Sequence, residues 1–471
     1  MITFFDCGIP IFAPLMKTQV MQRDPIDLRS AAVGRLFRRF LVPTVLGMLF
    51  SAVFILTDGI FVGRGIGSDA LAAVNIAAPL FTLGTGLGLM FGMGGSVVAS
   101  VNLAQGKRRV AQINITQSLV IPALLIALLS ALLIHCHKPL LLLLGTPPEL
   151  MVPAREYLVW FTLFLAPLAV FNILMFIVRL DGAPRFAMAC NIMAACINIV
   201  LDYLFIFEFG WGLAGAAIAT GIGYIVGSGV MLRYMLRSSR TLHFVKLKTS
   251  YKSLRLTARN LGYMTYIGFP ALLSELAISC LMIVGNYTFI RYIGKDGVAA
   301  YSIACYIFPI IFMVYNAIGQ SAQPILSYNF GAGNGARVRK AFRLALLTAV
   351  AAGLGFFGLT ALFSRWIVAM FIDSSCPACA IAVRGLPLFA SGFVFFAVNI
   401  VSIGYFQSVE RPRPAMAVTV LRGFVFMAAC FFGLPLLLGV EGIWLAVPLA
   451  EVLTFGVVMA IYYRTRLKSR F

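Results

Sequence analysis

The chain has 471 residues, 61% of them hydrophobic and only 11% charged. A soluble globular protein carries about 25% charged residues, so this composition excludes one. The net charge of +21 would suggest nucleic acid in a soluble protein, but here Lys and Arg sit in short loops between apolar runs. There they read as topology signals and contacts to anionic lipid, and no nucleic-acid motif accompanies them.

The first 15 residues are apolar but contain Asp6 and Pro10, with no Lys or Arg ahead of them. That is not a signal-peptide pattern; a short surface helix, or a start codon upstream of Met16 or Met21, fits it better. A helical span needs about 20 mostly apolar residues. Twelve are predicted, near 40–63, 72–101, 113–134, 157–179, 186–208, 212–236, 261–291, 298–328, 342–364, 384–408, 415–438 and 442–464. This divides the chain into an extension (1–35), a first lobe (36–236), a basic linker (237–260), a second lobe (261–464) and a basic tail (465–471).

Even-numbered loops carry the cations: Lys107, Arg108 and Arg109; Arg179 and Arg185; Arg233 to Arg259; Arg337, Arg339, Lys340 and Arg343; Arg411 and Arg413. Odd-numbered loops are poorer in cations and mixed with acids. The positive-inside rule then puts both termini and all even loops in the cytoplasm.

The chain also repeats itself. Ile66-Gly-Ser-Asp-Ala-Leu-Ala-Ala-Val-Asn-Ile-Ala77 recurs as Ile293-Gly-Lys-Asp-Gly-Val-Ala-Ala-Tyr-Ser-Ile-Ala304, and Pro184-Arg-Phe-Ala-Met-Ala189 as Pro412-Arg-Pro-Ala-Met-Ala417, at offsets of 227 and 228 residues. Six spans separate the copies. An even number makes the halves point the same way, about a pseudo-two-fold axis along the membrane normal. The expected fold is therefore an all-α membrane protein of two six-helix bundles, with the substrate path between them.

Charge at bilayer depth is expensive, about 2.5–3.5 kcal/mol for an acid at a helix centre, and so points to function. Asp58 lies late in span 1. Asn198 and Asp202 share a face of span 5, one turn apart, and Thr220 lies on span 6. At ~1.5 Å per residue, Asp58, Asp202 and Thr220 sit about 8–12 Å below the outer boundary. Two carboxylates in a dry site cannot both ionise cheaply, so one binds a proton or both hold a cation. The bland alternative is that they merely bond neighbouring helices.

Arg179-Leu-Asp-Gly-Ala-Pro-Arg185, Asn198-Ile-Val-Leu-Asp202, Gly212-Leu-Ala-Gly-Ala-Ala-Ile-Ala-Thr220 and Asp58-Gly-Ile-Phe-Val-Gly63 resemble the MATE (multidrug and toxic compound extrusion) family over roughly residues 35–465. The continuation to Gly67 is most similar to its MepA-like branch. The resemblance implies a monomeric antiporter of the bacterial inner membrane that expels drugs, often cationic, against inward H⁺ or Na⁺. It implies no cofactor, and no metal beyond Na⁺ at the coupling site. Asp58, Asn198, Asp202 and Thr220 match the family's first-lobe ion site, and Pro43 the proline that lets span 1 bend. In the second lobe it points to Glu275 on span 7 for ion or substrate; Asn286, Gln320, Gln323, Asn399 and Glu451 are further polar candidates. Span 10 offers Asn399 where some branches use an acid, which puts a second-lobe sodium site in doubt.

Two other readings predict different features. A lipid-linked precursor flippase should show a large basic cavity, whereas the intramembrane charges here read as mainly acidic. A membrane enzyme would need converging ligands or nucleophiles, yet His135, His137 and His243 lie at loops or span ends. The thiols Cys376 and Cys379 have redox-motif spacing without the surrounding βαβ pattern. Gly331-Ala-Gly-Asn-Gly335 lacks the Lys-Ser/Thr of a phosphate loop.

Overall fold

The structure, a computed structural model, describes residues 27–144, 146–239, 241–371 and 376–468. The suggested surface helix in the first 15 residues lies outside them, as does Arg470 of the tail. Twelve helical spans follow the order read from the sequence. In the first lobe α1 is Val33–Gly65, α2 Ser68–Ala104, α3 Arg108–His135, α4 Met151–Leu163 with Leu165–Leu180, α5 Pro184–Tyr203 and α6 Gly212–Arg237. In the second, α7 is Tyr251–Tyr292, α8 Lys295–Gly331, α9 Gly335–Leu362, α10 Pro377–Ala390 with Phe393–Ser408, α11 412–438 and α12 440–468.

Local chemistry explains the interruptions. α4 bends by 45° at Phe164, where the ring of Pro167 meets the carbonyl three to four residues back. The second broken span, α10, bends by 46° between its two pieces, at Ser391-Gly392. α11 and α12 share one helical run in which Gly439 adopts φ 59°, a conformation open to glycine. The run folds back there: Arg422 and Glu451, 29 residues apart, touch at 2.8 Å, whereas a straight helix would hold them about 44 Å apart.

The walls suit lipid. Leu124, Leu128 and Leu132 on α3, four residues apart, are 67%, 70% and 56% exposed. Such a stripe would be a liability in water and is ordinary against acyl chains.

The lobes meet along their basic-loop halves. Ser96 Oγ donates to Gln323 Oε1 at 3.3 Å, and the two residues are 227 apart, the repeat offset itself; the pseudo-two-fold therefore passes between them. α2 packs on α7 and, as its symmetry mate, α8 on α1. At the α2–α7 crossing the backbones are in direct contact. A Cβ on Gly94 would lie 2.7 Å from the carbonyl carbon of Met264, and one on Gly268 2.6 Å from that of Met90. Farther from the basic end the hydroxyls of Thr82 and Ser279 bond across the lobes, 3.3 Å apart.

α1 straddles both lobes. Val33, Leu36, Phe37 and Phe40 belong to the second lobe's core, while the rest of the helix lies along α5. The changeover falls at Pro43, through which α1 continues as one helix. Arg337 fastens the base, donating to the carbonyls of Leu28 and Ala31 and to Asn329 Oδ1.

Candidate functional site

Helical spacing puts Asn198 and Asp202 on one face of α5, and that face meets α1 and α6. There the structure gathers all four first-lobe candidates. Asn198 Nδ2 donates to Thr220 Oγ1 at 3.1 Å. The carboxyls of Asp58 and Asp202 face each other within reach of a shared proton, with Asn198 beside Asp202. Asp202 is fully buried, Asn198 and Thr220 nearly so. Asp58 Oδ1, both carboxyl oxygens of Asp202 and Asn198 Oδ1 are buried and find no donor in the protein. Buried oxygens of this kind cost about 1–3 kcal/mol each when unpaired, more when charged. A proton or a hard cation relieves that cost, since oxygen-only sets suit both.

Two rings complete the site that the sequence did not reveal. Tyr157 lies near both acids and Tyr224 near Asp58. Tyr224 lies four residues beyond Thr220 and therefore on its face of α6, a legible signal. Tyr157 comes from α4, where no spacing pointed to it. It stacks on Phe161 at 5.7 Å.

The second-lobe candidates do not form one site. Glu275 is half-buried on α7, its Cβ 3.4 Å from where a Cβ on Gly86 of α2 would stand. Asn286 is exposed, eleven residues and about 16 Å farther along α7. Gln320 and Gln323 lie at the lobe interface: Arg179 Nη1 donates to Gln320 Oε1 at 2.6 Å, and Gln323 accepts from Ser96 and donates to Ser327.

Asn399 and Glu451 are together but engaged elsewhere. Asn399 Nδ2 donates to Glu451 Oε2 at 2.8 Å, and Arg422 Nε to Glu451 Oε1 at 2.8 Å. Arg422 also lies over the Phe396 ring, 4.5 Å from its centroid. It sits in a π-helical turn, Leu421–Val425.

Intramembrane charge is thus less one-sided than the sequence suggested. Arg422 is 2% exposed, and Arg179, read there as a loop cation, closes α4 at 3%. The other sequence features do less: His137 Nδ1 contacts Ile134 O, and Cys376 and Cys379 are free, half-buried thiols.

Between the lobes lies a narrow cleft. Met93 and Phe176 line it from the first lobe, and Ser274, Asn316, Gln320 and Gln407 from the second. Glu275 follows Ser274 on α7, one residue round the helix from the lining.

A twelve-span bundle of two like-oriented halves around such a cleft is the build of a secondary transporter. The MatE family profile matches residues 43–204 and 270–431, one stretch in each lobe, and the chain belongs to this family. Among characterised relatives, the multidrug export protein MepA of Staphylococcus saprophyticus is 25% identical over 442 residues, covering 93% of this chain and 95% of that protein. The FAD transporter of Shewanella oneidensis is 27% identical over 332 residues, covering 69% and 71%. Among solved structures, a multidrug-resistance MATE transporter in an outward-facing conformation superposes with a TM-score of 0.85 at 21% identity, over 94% of this chain and 97% of that one.

Proposed function

We propose that the protein is a secondary antiporter of the bacterial inner membrane, with both termini cytoplasmic, that exports drug-like cationic or amphipathic compounds in exchange for inward H⁺ or Na⁺. The observation that carries the reading is the set of four donorless buried oxygens on Asp58, Asp202 and Asn198. They are contributed by two helices, one of which also runs into the other lobe's core. A site of this chemistry holds one cation well and two poorly.

On this reading Asp58 and Asp202 load an ion from outside, their mutual repulsion falls, and α1 closes toward α5, bending near Pro43. The first-lobe cavity shrinks and drug leaves. Because the base of α1 is held by the second lobe, the same movement strains the interlobe contact and favours rocking. Glu275, on α7 facing α2, supplies the charge that attracts a cationic drug, and the apolar lining of the cleft supplies tolerance of shape.

The test is efflux of a fluorescent cation from proteoliposomes, with proton and sodium gradients imposed separately. One gradient should drive transport in the wild type. Asp58→Asn and Asp202→Asn should insert normally and lose that drive. Full gradient-driven efflux in both variants would remove the acid pair from the mechanism.

A further inference from the structure

We propose that a small inorganic anion, chloride being the simplest, binds in a second cavity inside the first lobe, held by Arg179 and Thr44. The cavity is small and is lined by Pro43, Thr44, Gly47, Met48, Met175, Arg179, Pro184, Met188 and Asn191. It is too small for a drug and apolar except at three side chains.

Those three carry donors. Asn191 Nδ2 is used on the α1 backbone, at 2.7 Å to Gly47 O, and on Ser51 Oγ at 2.8 Å. Thr44 is 5% exposed, and its hydroxyl is buried without a partner. Arg179 is 3% exposed and spends one N–H on Gln320, with its guanidinium carbon 5.4 Å from the Phe176 ring centroid.

Among the described residues the charge of Arg179 has no counter-ion within 4.0 Å, and the one ion pair that close is Arg422–Glu451. Asp181, the nearest acid in sequence, is taken up by Tyr234 Oη and the amides of Thr241 and Leu242. The negative end of the α4 dipole and the Phe176 ring offset part of the charge, but burying an unpaired cation still costs several kcal/mol.

The repeat adds an independent argument. Adding the 228-residue offset to Arg179 gives Gln407, a neutral side chain that ends α10 and bonds Ile267 O at 2.9 Å. The fold therefore closes this helix end without a charge in one lobe. In the other it places a cation against a cavity that already holds a free hydroxyl. A guanidinium, a hydroxyl and no carboxylate select a monovalent anion over a cation or a neutral solute. The site abuts Pro43 and the α1 carbonyl bonded by Asn191, so its occupant bridges α4 and α5 to the hinge.

The experiment reads binding rather than transport, and so stands apart from the proposed antiport. Purified full-length protein is melted in detergent while sodium gluconate is replaced by sodium chloride at fixed sodium. The wild type should show a saturable rise in melting temperature, as expected of a ligand that binds only the folded state. Arg179→Gln should lose it, and Thr44→Val should raise the half-saturating chloride roughly 10–150-fold, the worth of one hydrogen bond to a charged group. Should Arg179→Gln not fold, Thr44→Val and a bromide soak decide: anomalous density between Arg179 and Thr44 supports the site. A chloride response absent from the wild type, one unchanged in Thr44→Val, or bromide found only elsewhere would overturn it.

Discussion

Gly268→Ala is the sharpest probe of how the lobes close. An added Cβ would stand 2.6 Å from Met90 C and 3.0 Å from Met90 Cα, both backbone atoms, against ordinary contacts of about 3.5–4.0 Å. No rotamer change relieves this; α2 and α7 must part by about an ångström. Overpacking of that kind costs ~1–3 kcal/mol, and only in the state closed at the basic-loop side. The equilibrium between closed and open states should therefore shift by roughly 5–150-fold. Spin labels at Arg109 and Lys340, both exposed near the basic ends of the two lobes, would report it in a cysteine-free background. The variant should gain population at longer distance. Gly262→Ala on the same helix, where a Cβ meets nothing within 4 Å, should match the parent. A distance distribution unchanged in Gly268→Ala would refute the claim that this crossing is the closed gate.

Arg422→Met should destabilise the protein by about 3–5 kcal/mol, because it strands Glu451 in a buried site, and Arg422→Met with Glu451→Met should recover most of that loss; melting in detergent compares the two. Asp181→Asn should weaken the two bonds that hold the interlobe linker, so hydrogen exchange at Thr241 and Leu242 should quicken by roughly 10–100-fold. Glu410, in the loop between α10 and α11, is held above the usual glutamate value of 4.5, chiefly by burial. Its folded form binds the proton more tightly, so its contribution to stability is present below pH 4.5 and is lost as pH rises through the higher folded value. Glu410→Gln should remove that downward slope from a melting-temperature profile.

The span pattern was plain in the sequence because lipid demands long apolar runs, and basic loops mark their ends. The acid pair was equally visible: Asn198 and Asp202 share a helix face by spacing alone, and depth arithmetic put Asp58 and Thr220 level with them. What escaped were relations that depend on tertiary neighbours. Tyr157 reaches the acids from α4 with no register to announce it. Arg422 finds Glu451 only because α11 folds back at Gly439, so Glu451 read as an open candidate. Arg179, next to a loop, looked like a topology cation, and nothing local shows that α4's last turn is buried. The attachment of α1's base to the second lobe follows from the symmetry of two interfaces, which a linear repeat implies but does not display.

The central claim is that one ion at Asp58 and Asp202 opposes drug in the cleft, and linkage makes that measurable without a membrane. Affinity of purified protein for a fluorescent cationic drug is determined across pH and across sodium concentration, for the wild type, Asp58→Asn and Asp202→Asn. One of the two ions should weaken drug binding by at least about 5-fold in the wild type, and the dependence should be flat in both variants. Equal ion dependence in all three proteins would contradict the account.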